Sequence, residues 1–184
     1  MAKEPAKKTK AESQNTGTDK QEAGKQEAGK PPAQPMLQVR TQYVKDLSFE
    51  SPAAPQAFLQ GGESPQLDLG VNVNGEKIDD THFELVLTIK ATAKVEEKIM
   101  FDLELDYAGI FVPENVPVEN LNAFLMIEGP RTLFPFARQV VSNVTREGGF
   151  MPLNLNPIDF VQLFRQNMAA RAAAQNAETS PASN

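Results

Sequence analysis

Apolar and polar residues alternate along four stretches of the chain. In residues 37–49, Val39, Thr41, Tyr43, Leu47 and Phe49 fall on one side; Gln38, Arg40, Gln42, Asp46, Ser48 and the following Glu50 fall on the other. A period of two predicts a strand with one buried and one wet face. Lys45 interrupts the apolar side and Val44 the polar one, which predicts an edge or a strand end. Residues 66–73 set Leu67, Leu69, Val71 and Val73 against Asp68, Gly70 and Asn72. Asn74-Gly75 follows, a pair that tolerates positive φ and so predicts a hairpin turn. Residues 80–93 carry Phe83, Leu85, Leu87 and Ile89 opposite His82, Glu84, Thr88 and Lys90. After a turn near residues 95–97, residues 98–111 alternate Phe101, Leu103 and Leu105 with Asp102, Glu104 and Asp106. Four strands, the last three linked by hairpins, predict an antiparallel sheet with one apolar and one acid-rich face.

Residues 51–65, SPAAPQAFLQGGESP, separate the first two strands. Pro52, Pro55, Pro65 and a glycine pair exclude helix and central strand. About fifteen residues are too many for a hairpin turn, so a crossover loop is expected. Phe58 and Leu59 are expected to dock, because a loop seldom carries two adjacent large apolar side chains otherwise.

The period lengthens beyond a Pro-punctuated connector at 112–118. Leu121, Phe124, Leu125 and Ile127 predict a short helix over 119–128, broken at Gly129-Pro130. A second helix is expected from Thr132 as N-cap, with Pro135 in its first turn, where a missing N–H costs no intrahelical bond. Leu133, Phe136, Ala137, Val140 and Val144 repeat at helical spacing, flanked by Phe134 and Val141. So wide an apolar surface predicts two partners, the chain's own sheet and another subunit. Gly148-Gly149 supplies the helix stop. Phe150, Leu153 and Leu155 then alternate with Met151, Asn154 and Asn156 as an extended arm. Asn156-Pro157-Ile158-Asp159 reads as N-cap, first-position proline and first-turn acid of a last helix. That helix carries Phe160, Phe164 and Met168, and the run at 169–174 is expected to extend it.

Composition changes the picture at the ends. Residues 1–35 hold no aromatic or β-branched aliphatic side chain and contain a tandem KQEAG repeat. Such a segment buries too little apolar area to offset chain entropy and is expected to be a disordered tail. Residues 36–170 are expected to form one domain, and 171–184 a frayed end. The tail has seven Lys against five acids, whereas the remainder has eleven basic residues against nineteen acids. The folded part is therefore strongly acidic, which argues against nucleic acid and anionic membrane and for a basic protein partner. No apolar run approaches the roughly 18 residues needed to span a bilayer, and the basic start lacks the apolar run of a secretory signal. The absence of cysteine excludes disulfides and fits a reducing cytoplasm.

Catalytic chemistry finds little support. The single histidine, His82, falls on the polar face of a predicted strand, and no glycine-rich phosphate loop follows a strand. Cys/His zinc ligation is excluded by count, and Asp102, Glu104 and Asp106 form a row rather than a cage. No cofactor, metal or catalytic residue is expected. The acidic row reads instead as a recognition surface. Each of Phe58, Leu59, Phe150, Leu153, Leu155, Phe160 and Phe164 reads equally as ordinary core; together they exceed what one sheet face and its helix would bury, and a groove shared by crossover loop, arm and last helix could hold extended unfolded polypeptide. The competing reading is an oligomeric adaptor acting through its acidic face.

Three motifs sharpen these readings: LFPFAR at 133–138, GGFMPLNLNPIDFVQLF at 148–164 and YVKDLSFESPAAP at 43–55. Together they strongly resemble the SecB family of bacterial protein-export chaperones, over roughly residues 37–164. The resemblance implies an α+β fold with a four-stranded antiparallel sheet, helices on one face, and a homotetramer built as a dimer of dimers. It implies an ATP-independent chaperone that keeps precursor proteins unfolded and delivers them to the SecA translocase. It assigns the crossover loop to the wall of the client groove, and Asp46, Glu50, Asp102 and Glu104 to translocase docking. Phe136, Val140 and Val144 fit the oligomer interface. A related chaperone dedicated to an antitoxin would share the pattern.

Overall fold

The computed structural model describes residues 34–59 and 64–178. The expected tail at 1–35 therefore lies outside the described residues up to position 33, as do the glycine pair of the crossover and the last six residues. The elements are β1 (Met36–Glu50), β2 (Gln66–Lys77), β3 (Phe83–Val95), β4 (Lys98–Glu114), α1 (Val118–Glu147) and α2 (Phe160–Glu178). The four strands form one antiparallel sheet in the order β1-β4-β3-β2. The 51–65 segment is thus a crossover from one sheet edge to the other, with a short 3₁₀ turn at Gln56–Phe58. The fold is α+β, as the alternation predicts.

Three elements differ from the pattern reading. β2 runs straight through Asn74-Gly75, which pair with Val86 and Leu85. A side chain at position 75 would meet Leu85 Cδ2 at 2.9 Å and Met126 Sδ at 3.2 Å, so this glycine serves close packing instead of a turn. The turn lies at 78–82. There one carboxylate oxygen of Asp79 accepts from the backbone N–H groups of Thr81 and His82, both at 2.8 Å.

β1 carries two one-residue irregularities, between Val39 and Thr41 and between Val44 and Asp46. Each extra residue inverts the facing of the strand beyond it. Tyr43 therefore joins the wet face, where its hydroxyl donates to Glu84, and Val44 pairs with Tyr107 on the helix side. The interruption at Val44-Lys45 marks the second of these bulges, and β1 is an edge strand.

The two helices expected around Gly129-Pro130 are one helix of 30 residues, α1, with Pro130 and Pro135 inside it. Thr132 is no N-cap; its hydroxyl donates back to the Glu128 carbonyl at 2.8 Å. The buried stripe is Leu125, Gly129, Leu133, Ala137, Val141 and Thr145, every fourth residue. An interior proline costs roughly 3 kcal/mol. Burying Leu125, Leu133, Phe134 and Val141 contributes about 1.5–3 kcal/mol each, so packing outweighs the two prolines. Gly129 marks the close approach to β3: a Cβ there would lie 1.9 Å from Leu85 Cδ1.

Under α1 sit Leu85, Leu87, Ile89, Leu103, Leu105 and Phe111, all essentially inaccessible. α2 packs on α1 through Phe160, whose ring meets Phe134 edge-on at 5.8 Å. Asp159, rather than Asn156, caps α2, its carboxylate accepting from the N–H groups of Val161 and Gln162 at 2.9 and 3.1 Å. The helix continues through the alanine-rich run to Glu178.

Candidate functional site

The end of α1 builds the first feature. Gly149 N–H donates to Arg146 O and Phe150 N–H to Thr145 O, with Gly149 at φ +86°. This Schellman-type stop turns the chain and projects Phe150. Phe150 then lies 5.1 Å from Phe101, 5.2 Å from Phe58 and 6.3 Å from Phe49, centroid to centroid. Phe49 and Phe101 stack at 5.7 Å. A Cβ at residue 148 would fall 2.4 Å from the Phe49 ring, and one at 149 would fall 3.1 Å from Phe58. The double glycine is therefore both the helix stop and the room into which two rings fit.

Three of the four rings, Phe58, Phe101 and Phe150, line a cleft of about 1040 Å³ whose walls also include Ile99 and Met100 after the β3–β4 turn. Phe150 and Phe101 contribute its aromatic surface. Alternation alone placed Phe49 and Phe101 among ordinary sheet residues. Phe49 is let in by the missing side chain of Gly148, and only the fold shows that Phe101 stacks on it.

The remaining residues read as client-binding from the sequence separate. Leu59 is 80% exposed next to the cleft, and Leu153 is half-buried on the arm. Leu155 and Phe160 do not line the cleft: both are 3% exposed and belong to the core, Phe160 packed against Phe134 of α1. Phe164 is half-buried in a small crevice with Val73, Met126 and Leu163.

The second feature is the wet sheet face. Strand register sets Glu50 opposite Asp102, Ser48 opposite Glu104, and Asp46 opposite Asp106. Thr92 and Thr88 donate to Asp102 and Asp106, each at 2.6 Å. Lys90 pairs with Glu104 at 2.7 Å, which holds the ammonium above its usual pKa. The four residues expected at the docking surface thus share one patch with Asp106. Nearby, Glu84 accepts from Lys45 at 2.6 Å and from the Tyr43 hydroxyl. Lys45 and then Tyr43 push the Glu84 carboxyl below its ordinary value, and the hydrogen bond to Glu84 pushes the Tyr43 phenol up to about 12. This clamp ties the bulged edge strand to β3 across the intervening β4.

His82 is bound to Asp79 within its turn, Nδ1 lying 2.9 Å from the carboxylate. Among the described residues no group of His, Asp and Glu is arranged to hold a metal. Nor is any described helix long and apolar enough to cross a membrane. Phe136, 51% exposed, heads a stripe with half-buried Val140 and Val144 beside the buried one on α1.

An aromatic-walled cleft on one side of an α+β sheet and a carboxylate patch on the other fit a polypeptide-binding protein of the chaperone class. The comparisons agree. A family model described as preprotein translocase subunit SecB matches residues 30–171. The protein-export protein SecB of a Bradyrhizobium species is 51% identical over 147 residues, spanning 80% of this chain and 91% of the relative. That of Afipia carboxidovorans is 52% identical over 143 residues, 78% and 89% of the two chains. A SecB-like chaperone of Mycobacterium tuberculosis, solved with a peptide from an antitoxin, shares the fold at TM-score 0.56 and 17% identity, covering 66% of this chain and 90% of that one. The chain belongs to the SecB family, whose members are protein-export chaperones and not enzymes.

Proposed function

We propose that this chain holds precursor proteins unfolded in the cleft walled by Phe58, Phe101 and Phe150, and passes them to a SecA-type translocase ATPase docked on the acidic face. It acts in the cytoplasm as a homotetramer, through a chaperone unit at 36–170. The observation that carries this reading is the aromatic cleft itself. Three phenylalanine rings line it without closing it, with Phe49 stacked behind Phe101, so apolar side chains of a client find an apolar surface already assembled. The edge strands of the sheet can add main-chain hydrogen bonds, which give affinity without sequence specificity. The peptide held by the Mycobacterium tuberculosis relative supports a fold of this type as a peptide holder. The carboxylates are exposed or half-exposed, so each contributes little affinity, and together they steer a basic partner. Phe136, Val140 and Val144 supply the apolar stripe for contact between subunits.

The test is binding of one secretory precursor, offered folded and unfolded, to the intact protein and to Phe58→Ser and Asp102→Lys variants. Preferential binding of the unfolded form is expected, weakened about tenfold by Phe58→Ser. Asp102→Lys should spare client binding and weaken translocase docking, most at low salt. Equal binding of folded and unfolded precursor would leave an adaptor working through the acidic face.

A further inference from the structure

Among the described residues, Thr145 is the one polar side chain that is fully buried. It ends the stripe of α1 that covers the sheet, a place where valine would do for packing alone. Its hydroxyl hydrogen goes back to the Val141 carbonyl at 2.9 Å and is shared with Ser142 O at 3.2 Å. Its oxygen accepts from the backbone N–H of Leu153 at 2.9 Å. Its own carbonyl accepts from the backbone N–H of Phe150 at 3.1 Å.

The arm between Phe150 and Asp159 belongs to neither helix nor strand. It has no ladder to hold its backbone, and these two bonds, three residues apart, both end on Thr145. Phe150 supplies aromatic surface to the cleft, and Leu153 is the next apolar residue of the arm to pack on the core. We propose that Thr145 is a positioning residue for client binding: its side-chain oxygen and main-chain carbonyl together fix the arm, and so hold Phe150 at the cleft wall. The proposal rests on the client-cleft reading above and adds the device that sets the cleft's shape.

The side-chain half of this device can be removed almost without changing volume. Thr145→Val keeps the branched shape but leaves the half-buried Leu153 N–H without an acceptor. Thr145→Ser keeps the acceptor and loses only a methyl group. Val141 O retains its ordinary helical donor in both variants.

The experiment measures the dissociation constant of an unfolded precursor and the hydrogen exchange of the Leu153 amide in wild type, Thr145→Val and Thr145→Ser. The expected result is a protected Leu153 amide in wild type and Thr145→Ser, and faster exchange with about five- to tenfold weaker binding in Thr145→Val. Binding of the translocase, on the opposite sheet face, should be equal in all three. Rescue by serine separates the hydroxyl from packing, since serine is the poorer filler. Equal weakening by both changes overturns the proposal, as does an unprotected Leu153 amide in wild type, whatever the variants do. Wild-type discrimination between unfolded and folded precursor, retained unchanged in Thr145→Val, overturns this inference and leaves the cleft standing. Failure of the wild type itself to discriminate overturns both.

Discussion

Glu84 and the glycine pair show how much single positions carry. Glu84 is largely buried, its side chain 14% exposed, and it is acceptable there because Lys45 and Tyr43 both donate to it. Its carboxyl pKa is lowered in the folded state relative to the ordinary 4.5. Stability from this group is therefore present above 4.5 and lost as pH falls through the folded value. The Tyr43 phenol is raised from 10.0 to about 12, so its contribution is present below 10 and lost as pH rises toward 12. Glu84→Gln should lower the unfolding free energy by about 1–2 kcal/mol near neutral pH. The deficit, read from urea unfolding at a series of pH values, should shrink toward both ends. A pH-independent deficit would mean that packing, not ionisation, matters at this position. The glycines act by absence: the Phe49 and Phe58 rings lie against positions 148 and 149, where any Cβ would crowd them.

At the scale of elements, α1 is where local preference and packing disagree. Helix propensity alone favours Gly129→Ala by about 1 kcal/mol. Packing opposes it, because the new Cβ would lie 1.9 Å from Cδ1 of Leu85, which is 1% exposed and has little room to retreat. Overpacking of this kind costs about 1–3 kcal/mol. Gly129→Ala should therefore destabilise on balance, as a lower denaturant midpoint, and combining it with Leu85→Ala should cost less than the two changes added. Strict additivity would show that α1 shifts freely over β3. The same disagreement explains which elements were legible in advance. The four strands were, since alternation survives in any environment that wets one face. The single long helix was not, because Gly129-Pro130 is a strong local break whose cost is met by contacts with strands some forty residues away in sequence. The bulges in β1 left a trace at Lys45, yet the facing of Tyr43 depends on register with β4, which alternation does not contain.

For the molecule as a whole, the sheet separates two kinds of surface. One side presents carboxylates of β1 and β4, the other α1 with its half-exposed apolar stripe. An exposed phenylalanine beside Val140 and Val144 is explained if a second copy covers it. Phe136→Asp is therefore expected to shift sedimentation to a smaller species while leaving the circular dichroism of the protomer unchanged. An unaltered sedimentation coefficient would place the subunit contact elsewhere.

Residue order was enough for the fold class, the crossover, the acidic face and, through spaced motifs, the family. These properties are written in local order: period, turn chemistry and the sign of charges that share a face. Which apolar residues form a cleft and which form core was settled only when the chain folded. Phe150 and Phe160 are alike as letters in the chain. Phe150 is turned out by a left-handed glycine toward Phe58 and Phe101, whereas Phe160 is turned in against Phe134. Burial is a property of distant neighbours brought together, and a hydrophobic side chain carries no mark of which neighbours it will meet.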